Sequence, residues 1–268
     1  MKISQVQKQY YLTKIKMTKY RLFKLGNHYL INGDSTSMAL GLILKDILRD
    51  EKISLQVCDV PYGVSYVESN KAVSAKHKKI ANDDMDNDME YQMFTQKWLE
   101  VVRPYLADTN SYYIFNSDKM YIPLVNGIKA SGYKYSQLLI WVKNQAVLGR
   151  LDFHCQHELI AYGWYGKHEF YKTNDRSVLQ CPKPQKNNWH PTQKPLSILR
   201  RLIMNSSKVD DFVYDCFGGS GSTLLACEQT KRKCIMVELD SEYCDVIMKR
   251  FEKLTGVKPI ECLINSYE

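Results

Sequence analysis

The sequence predicts an α/β protein with a doubly wound, mostly parallel sheet covered by helices on both faces. Seven short apolar stretches with strand character alternate with six stretches of helical length. This alternation is typical of βαβ units. Two of the strand stretches end in turns rich in aspartate, proline or glycine, and open α/β sheets bind ligands at that edge. At 268 residues, the chain has the length of one such domain.

The predicted elements alternate along the chain from residue 28 onward. The strands cover residues 28–31, 53–58, 111–115, 137–142, 158–164, 212–214 and 234–239. The helices cover residues 37–50, 90–106, 119–130, 196–206, 222–231 and 242–254. Ser35 or Thr36 suits the N-cap of the first helix, and Pro195 suits the first turn of the fourth. Residues 28–268 are therefore predicted to form one catalytic domain.

The N-terminal residues 1–27 are predicted to form a basic arm, since they carry several Lys and Arg and no acid. The arm either contacts phosphates or is a solvated terminus. The net charge of +8 suits a polyanionic partner without requiring one. The eight cysteines contain no C-x-x-C pair, so we expect free thiols, a cytoplasmic location and no metal site. We also expect no membrane association, because no apolar run approaches the ~20 residues of a membrane span.

The first of the two turns is Asp59-Val60-Pro61-Tyr62-Gly63. It places a carboxylate, a rigid turn and an aromatic ring at the edge of the sheet. Asp59 and the Val60 carbonyl can accept the two hydrogens of an exocyclic base amine, and Tyr62 can stack on the base. Pro61 restricts Val60 and so helps to aim its carbonyl. Because Asp-x-Pro also begins many ordinary turns, the pentapeptide alone leaves both interpretations open.

The second turn, residues 215–223, joins a strand to a helix and contains Gly218, Gly219 and Gly221. These glycines permit positive φ and close approach of a ligand to the backbone. The spacing is neither G-x-G-x-x-G nor a Walker loop, so a pyrophosphate is not specifically indicated. Glu238 ends the next strand, where a carboxylate can bind both hydroxyls of a ribose. Together these features favour an adenosine cofactor without phosphates, although each alone also fits an ordinary turn.

These motifs resemble those of the β-class amino-group DNA methyltransferases, which use S-adenosylmethionine. Residues 59–62 are similar to that family's Asp-Pro-Pro-Tyr, and residues 215–223 to its Asp-Pro-Phe-x-Gly-Ser-Gly-Thr-Thr. Weaker similarities lie at residues 32–35 (Asn-Gly-Asp-Ser), 141–143, 157–158 and 190–195 (His-Pro-Thr-Gln-Lys-Pro). The catalytic motif precedes the cofactor motif, which is the order of the β class.

The resemblance implies a Rossmann-like methyltransferase fold with seven strands, one of them reversed. It implies catalysis by Asp59, Val60, Pro61 and Tyr62. It also implies a cofactor site formed by Asp215, Phe217, Gly218, Gly219, Ser220, Gly221, Glu238, Asp34 and Thr192. An aspartate at the first motif position implies the N6 amine of adenine as the methyl acceptor. Val60 and Cys216 stand where the family has proline, and a weakened homologue that only binds DNA remains an alternative.

Two further segments are interpreted as parts of the DNA site. Residues 64–88, polar and irregular, form either a substrate loop that closes over the site or a disordered loop. Residues 144–190 are interpreted as a small target-recognition segment, because basic and aromatic side chains suit phosphate and base contacts. In or beside this segment lie Lys143, Arg150, Lys167, His168, Lys172, Arg176, Lys183 and Lys186, with Tyr165, Phe170, Tyr171 and Trp189.

Double-stranded DNA is therefore the expected partner, with a homodimer and a cognate restriction enzyme as further expectations from the resemblance. The alternative activities are methylation of cytosine N4 in the same fold, and methylation of RNA or of a protein glutamine.

Overall fold

The computed structural model describes residues 20–63, 85, 87–146, 152–172, 174–182 and 193–264. Within them the strands are β1 (Arg21–Leu25), β2 (His28–Asn32), β3 (Ile53–Asp59), β4 (Leu106–Asn116), β5 (Lys134–Val142), β6 (His157–Trp164), β7 (Val178–Gln180), β8 (Phe212–Asp215), β9 (Lys233–Glu238) and β10 (Ile260–Cys262). The α-helices are α1 (Met38–Leu48), α2 (Asp88–Val102), α3 (Tyr121–Ala130), α4 (Leu196–Ser206), α5 (Ser222–Thr230) and α6 (Ser241–Thr255).

All the described strands belong to one sheet with the order β10-β1-β2-β9-β8-β3-β4-β6-β5-β7. The five strands β2, β9, β8, β3 and β4 are parallel to one another. Strand β6 runs antiparallel between β4 and β5. The seven predicted strands are therefore confirmed, including the single reversed strand within this set, and the predicted doubly wound α/β class is confirmed with them.

The core lies in two layers, one on each face of the sheet. Helices α1, α2 and α3 bury their apolar faces on one side, where Leu44, Trp98 and Leu124 are fully covered. Helices α4, α5 and α6 cover the other side. Because β8 lies at the centre, all four of its residues are buried, which explains its continuously apolar sequence before Asp215.

The sheet is larger than the seven strands predicted, because β1, β7 and β10 extend its edges. These strands have only three to five residues, too few for a recognisable period. Strand β1 lies within the predicted N-terminal arm, so that arm is part of the sheet from Arg21 onward, and residues 1–19 lie outside the described residues. The helix predicted to reach residue 106 ends at Val102, ahead of a 3-10 turn that contains Pro104.

Two features of the described residues concern membranes and metals. None of the helices in these ranges has the length and apolar character that a membrane crossing requires. Over the same ranges, no group of three or more His, Cys, Asp or Glu side chains is arranged to hold a metal ion.

Candidate active site

The two predicted turns lie side by side at one edge of the sheet. Strands β3 and β8 are neighbours and parallel, with Gln56 opposite Tyr214, so their carboxyl ends point the same way. Directly before and after these ends, Cys58 and Cys216 are buried and their Sγ atoms are 3.5 Å apart. The Cys216 thiol therefore contacts the Cys58 thiol between the two strand ends. The proline that the family has at position 216 could not make this contact.

The first turn holds its side chains through a short hydrogen-bond network. The Tyr62 hydroxyl lies 3.0 Å from Oδ1 of Asp59 and 2.7 Å from Oε2 of Glu158. The Lys194 ammonium donates to Oδ2 of Asp59 at 2.6 Å. The Pro61 carbonyl accepts from the Tyr91 hydroxyl at 2.6 Å, so this carbonyl is already engaged. Hydrogen bonds to its side chains and to its backbone therefore both hold the turn in place.

Gly63 closes this turn against a distant part of the chain. Its φ of +63° lies in the left-handed region, which favours glycine. A Cβ at this position would overlap the backbone carbonyl of Met85, and Met120 packs beside it. Lys119 donates to the Gly63 carbonyl at 3.2 Å. Residues 63 and 85, which flank residues 64–84, therefore meet next to the Asp59 turn, whereas residues 64–84 and 86 of the predicted substrate loop lie outside the described residues.

Two lysines and a second carboxylate extend the network into the sheet. Glu158, at the start of β6, pairs with Lys143 through Oε1 at 2.8 Å and with Lys194 through Oε2 at 3.2 Å. Burial alone would raise the pKa of Glu158, but Lys194 and Lys143 lower this pKa to about 2. Burial raises the pKa of Asp59, and Lys194 opposes that rise. Glu158 is therefore the more firmly ionised of the two carboxyls.

The second turn is a compact backbone cradle. The Gly218 N–H donates to the Val237 carbonyl and the Gly221 N–H to the Gly218 carbonyl, both at 2.8 Å. Gly219 and Gly221 have φ values of +51° and +82°. A Cβ at Gly218 would lie 2.8 Å from Cγ of Met236, so the turn packs closely on β9. The glycines therefore satisfy a backbone requirement, as the sequence predicts.

Two carboxyls, Asp215 and Glu238, lie beside the glycine turn. Asp215 is 2% exposed, and burial raises its pKa to about 8, although it accepts from the Phe217 N–H at 3.1 Å. Glu238 accepts from the N–H groups of Gly219 at 2.6 Å and Asp240 at 2.8 Å, and burial raises its pKa to about 7. Neither carboxyl forms a salt bridge within the described ranges. Such a site is suited to a ligand that brings a positive charge and hydroxyl donors.

A cavity of about 600 Å³ lies between β9 and α2, next to Glu238. Leu239, Phe94 and Met93 supply apolar wall, and Asp34 and Thr36 supply polar groups. Oδ1 of Asp34 accepts from the Thr36 N–H at 2.8 Å and from its hydroxyl at 2.7 Å. The volume and mixed lining are typical of a small-molecule site.

The structure brings together most of the residues that the sequence singles out. Asp59, Val60, Pro61 and Tyr62 form one turn, the stretch from Asp215 to Gly221 forms the adjacent turn, and Glu238 and Asp34 lie beside the latter and its cavity. The carbonyl of Ser220 accepts from Arg250, and the ring of Phe217 packs 5.7 Å from that of Trp98. Thr192 lies outside the described residues.

Three residues of the network have no catalytic or cofactor role in the sequence prediction: Glu158, Lys194 and Lys143. Lys143 was grouped with the basic residues interpreted as DNA contacts or as a solvated face, but it is buried and paired with Glu158, which fits neither interpretation. The predicted reversed strand could have indicated the role of Glu158. Because β6 runs antiparallel, its first residues lie at the edge where the parallel strands end, and an acid at its start therefore lies near the Asp59 turn.

Comparisons with known proteins agree with this geometry. Residues 53–249, more than two thirds of the chain, match the model of the N6/N4 methyltransferase family described as DNA methylase. The chain is 25% identical over 236 residues to the type II methyltransferase M2.MboI of Moraxella bovis, covering 78% of this chain and 84% of that protein.

Two solved structures share the fold. One is the complex of M1.HpyAVI with SAM, with a TM-score of 0.60, 23% identity, and coverage of 82% of this chain and 98% of that one. The other is the PvuII DNA methyltransferase, described as cytosine-N4-specific, with a TM-score of 0.65, 18% identity, and coverage of 91% and 89%. The Asp59 turn precedes the glycine turn, and the chain belongs to the DNA methylase family as a β-class DNA methyltransferase of the amino-group (N6/N4) type.

Proposed function

We propose that this protein transfers a methyl group from S-adenosylmethionine to the N6 amine of an adenine turned out of double-stranded DNA. The observation that carries the proposal is the adjacency of the two turns at the ends of β3 and β8. One turn offers acceptors for an amine, and the other offers a backbone cradle flanked by carboxyls. A donor and an acceptor held at these turns would meet at one sheet edge.

The residues that flank the glycine turn fit the cofactor. Asp215 has a raised pKa and forms no salt bridge with the residues that the structure describes, and such a carboxyl suits the ammonium of the methionine part. The Glu238 carboxylate retains acceptor capacity for ribose hydroxyls beyond its two N–H partners. The cavity at Asp34 and Leu239 has apolar walls and a carboxylate, which suit an adenine ring and its amine. Phe217, Gly218, Ser220 and Thr192 complete the proposed site.

The catalytic turn would act by holding the amine. An exocyclic amine is a weak nucleophile, because its lone pair is delocalised into the base. Oδ1 of Asp59 and the carbonyl of Val60 would each accept one amine hydrogen and so orient the lone pair out of the ring plane. The ring of Tyr62 would stack on the base, which must leave the duplex to reach this turn. S-adenosylmethionine supplies an already activated methyl group, so positioning by these residues provides most of the catalysis.

Asp59 can be tested directly by substitution. Asp59→Ala is expected to retain cofactor binding, measured by calorimetry, and to lose transfer of labelled methyl groups to DNA. Undiminished methylation by this variant would remove Asp59 from its proposed role.

Adenine is favoured over cytosine because Asp59 stands where the resemblance associates aspartate with N6 methylation. The solved structure of a cytosine-N4-specific enzyme with the same fold makes N4-cytosine the second candidate. Digestion of methylated DNA to nucleosides, followed by chromatography and mass spectrometry, distinguishes the two. N6-methyl-2′-deoxyadenosine supports the proposal, and N4-methyl-2′-deoxycytidine as the product refutes it.

We also propose that residues 144–190 contact the target sequence. Among the described residues there, Lys167, Lys172 and Arg176 are exposed and available to phosphates or base edges. We propose a homodimer, which analytical ultracentrifugation tests. We also propose a cognate restriction enzyme, which sequencing of the DNA that flanks the gene tests.

A further inference from the structure

Five side chains form a largely buried cluster at the catalytic turn, which we call the charge cluster: Asp59, Tyr62, Lys143, Glu158 and Lys194. Its two lysines and two carboxylates balance in charge. The side chain of Lys194 is only 4% exposed and that of Glu158 14% exposed. Removing one partner from a buried ion pair leaves the other charge buried without compensation, which is strongly destabilising. The members of the cluster are therefore expected to depend on one another.

The charge cluster is asymmetric around its two carboxylates. Glu158 contacts both lysines of the cluster, whereas Asp59 contacts one of these two lysines, Lys194. Burial alone would lower the pKa of Lys194, but Asp59 and Glu158 together raise it, so this lysine is charged across the neutral range. The pKa of Asp59 is raised by burial, lowered by Lys194 and raised again by the nearby charge of Glu158. Lys194 and Glu158 thus act on Asp59 in opposite directions.

We propose that Lys194 and Glu158 are positioning residues that set the charge and the orientation of the Asp59 carboxylate for methyl transfer. The inference rests on the proposed function, in which Asp59 accepts an amine hydrogen. Lys194 holds Oδ2, so the carboxylate turns Oδ1 toward Tyr62 and the space for the base. Glu158 shares the charge of Lys194, so Asp59 is only partly neutralised by its lysine.

This balance suits a group that must first accept a hydrogen bond and then a proton. Methyl transfer would form an N–C bond and break the C–S bond of the donor, which leaves a neutral thioether and an amine nitrogen with one proton to be removed. The N–H bond breaks, an O–H bond forms at Oδ1 of Asp59, and the proton then leaves to solvent. Asp59 must be ionised before this step and must be basic enough to take the proton during it. Without Glu158, Lys194 would hold the Asp59 carboxylate more strongly and make it a weaker hydrogen-bond acceptor. Without Lys194, burial and the charge of Glu158 would favour the protonated form of Asp59.

The charged and titratable groups that face Asp59 come from four parts of the fold. Tyr62 lies in the same turn, Glu158 at the start of β6, Lys194 ahead of α4, and Asp215 at the end of β8. Lys143 acts one step further away, through Glu158. A change in the pH dependence of catalysis must therefore be measured against substitutions at more than one of these positions.

The test compares the pH dependence of single-turnover methyl transfer to DNA in Lys194→Met and Glu158→Gln. We expect Lys194→Met to shift the acid limb of the rate profile to higher pH, because Asp59 loses its cation. Each unit by which the pKa of Asp59 exceeds the assay pH lowers the ionised fraction about tenfold. We expect Glu158→Gln to shift the acid limb to lower pH, because Asp59 loses a neighbouring negative charge that raises its pKa.

Two further variants serve as controls. Lys194→Arg keeps the positive charge and should return the profile toward wild type. Lys45→Met removes a lysine from the exposed face of α1 and should leave the midpoint of the profile unchanged. Cofactor Kd and DNA KM should stay near wild type in all four variants.

Shifts in the same direction, or unshifted midpoints, overturn the proposal, because a purely structural role has no reason to produce opposite shifts. If circular dichroism shows that Lys194→Met is unfolded, the profile of Glu158→Gln decides alone, and an unshifted profile refutes the inference. Asp59→Ala separates this inference from the proposed function. An active Asp59→Ala refutes the function of Asp59, whereas an inactive one with unshifted profiles in the other variants refutes only the positioning role.

Discussion

Replacing Asp215 with asparagine removes a buried titrating carboxyl while keeping its shape. Because burial raises its pKa from 3.8 to about 8, the folded protein favours the protonated form. The stability that this group contributes is therefore fully present below about pH 4 and is lost progressively as the pH rises toward 8. Asparagine cannot ionise, so Asp215→Asn should become more stable relative to wild type as the pH increases.

The magnitude follows from proton linkage. Between about pH 5 and about pH 7, the wild type should lose up to about 1.4 kcal/mol per pH unit relative to Asp215→Asn. The upper limit over that interval is about 2.7 kcal/mol, and relaxation around the buried charge will reduce it. Urea denaturation at both pH values, followed by circular dichroism, measures the difference. Asp46→Asn, which removes an exposed carboxylate from α1, controls for the loss of one charge.

The same substitution tests the ligand proposed for Asp215. With a pKa of about 8, the carboxyl is about 0.9 protonated at about pH 7. A cofactor ammonium bound beside it would require the ionised form, so up to about 0.9 proton should be released on binding. Calorimetry in two buffers with different ionisation enthalpies measures this release. A stability difference that does not change with pH, or a proton release equal in wild type and Asp215→Asn, would refute the reasoning.

Two further predictions concern the two turns. Gly221→Ala should lower the melting temperature and weaken cofactor binding, because its φ is +82° and a Cβ would lie 3.0 Å from Ile247. Gly256→Ala is the matched control, with φ +74° and nothing within 4 Å of the added Cβ, and equal melting temperatures would contradict the crowding argument. Tyr62→Ala should lose base stacking worth about 1–3 kcal/mol. The loss is measured as weaker binding of DNA that has an abasic site opposite the target base, and Tyr62→Phe should keep the stacking. Equal loss in both variants would show that the hydroxyl, and not the ring, holds the base.

The regular elements could be predicted where the chain repeats a pattern for long enough. Strand β3 is a seven-residue stretch, mostly buried, that ends at Asp59, two residues before Pro61, and α4 has a clear apolar face after Pro195. Strands β1, β7 and β10 are short and lie toward the edges of the sheet, so burial imposes little pattern on them. The end of α2 depended on Pro104, which was present in the sequence but was included in the predicted helix.

The site was predictable to the extent that chain order dictates it. Asp59 and Asp215 each follow a parallel strand, and that alone brings them to the same edge of the sheet. The contacts of Lys194 with Asp59 and Glu158 join residues 135 and 36 positions apart, and the reversed direction of β6 brings Glu158 to the edge where β3 ends at Asp59. Lys143 could not be distinguished from an exposed basic residue by sequence, because its partner lies on the adjacent strand.

The contact between Gly63 and Met85 has a consequence for how such a protein can diversify. The described residues on either side of residues 64–84 therefore lie in contact with each other, and Met120 and Lys119 contact Gly63 at the same point. Doubling the length of the connection changes the closure free energy by only about 0.6 kcal/mol. New modules could therefore be inserted at this junction while the geometry of the neighbouring Asp59 turn is preserved.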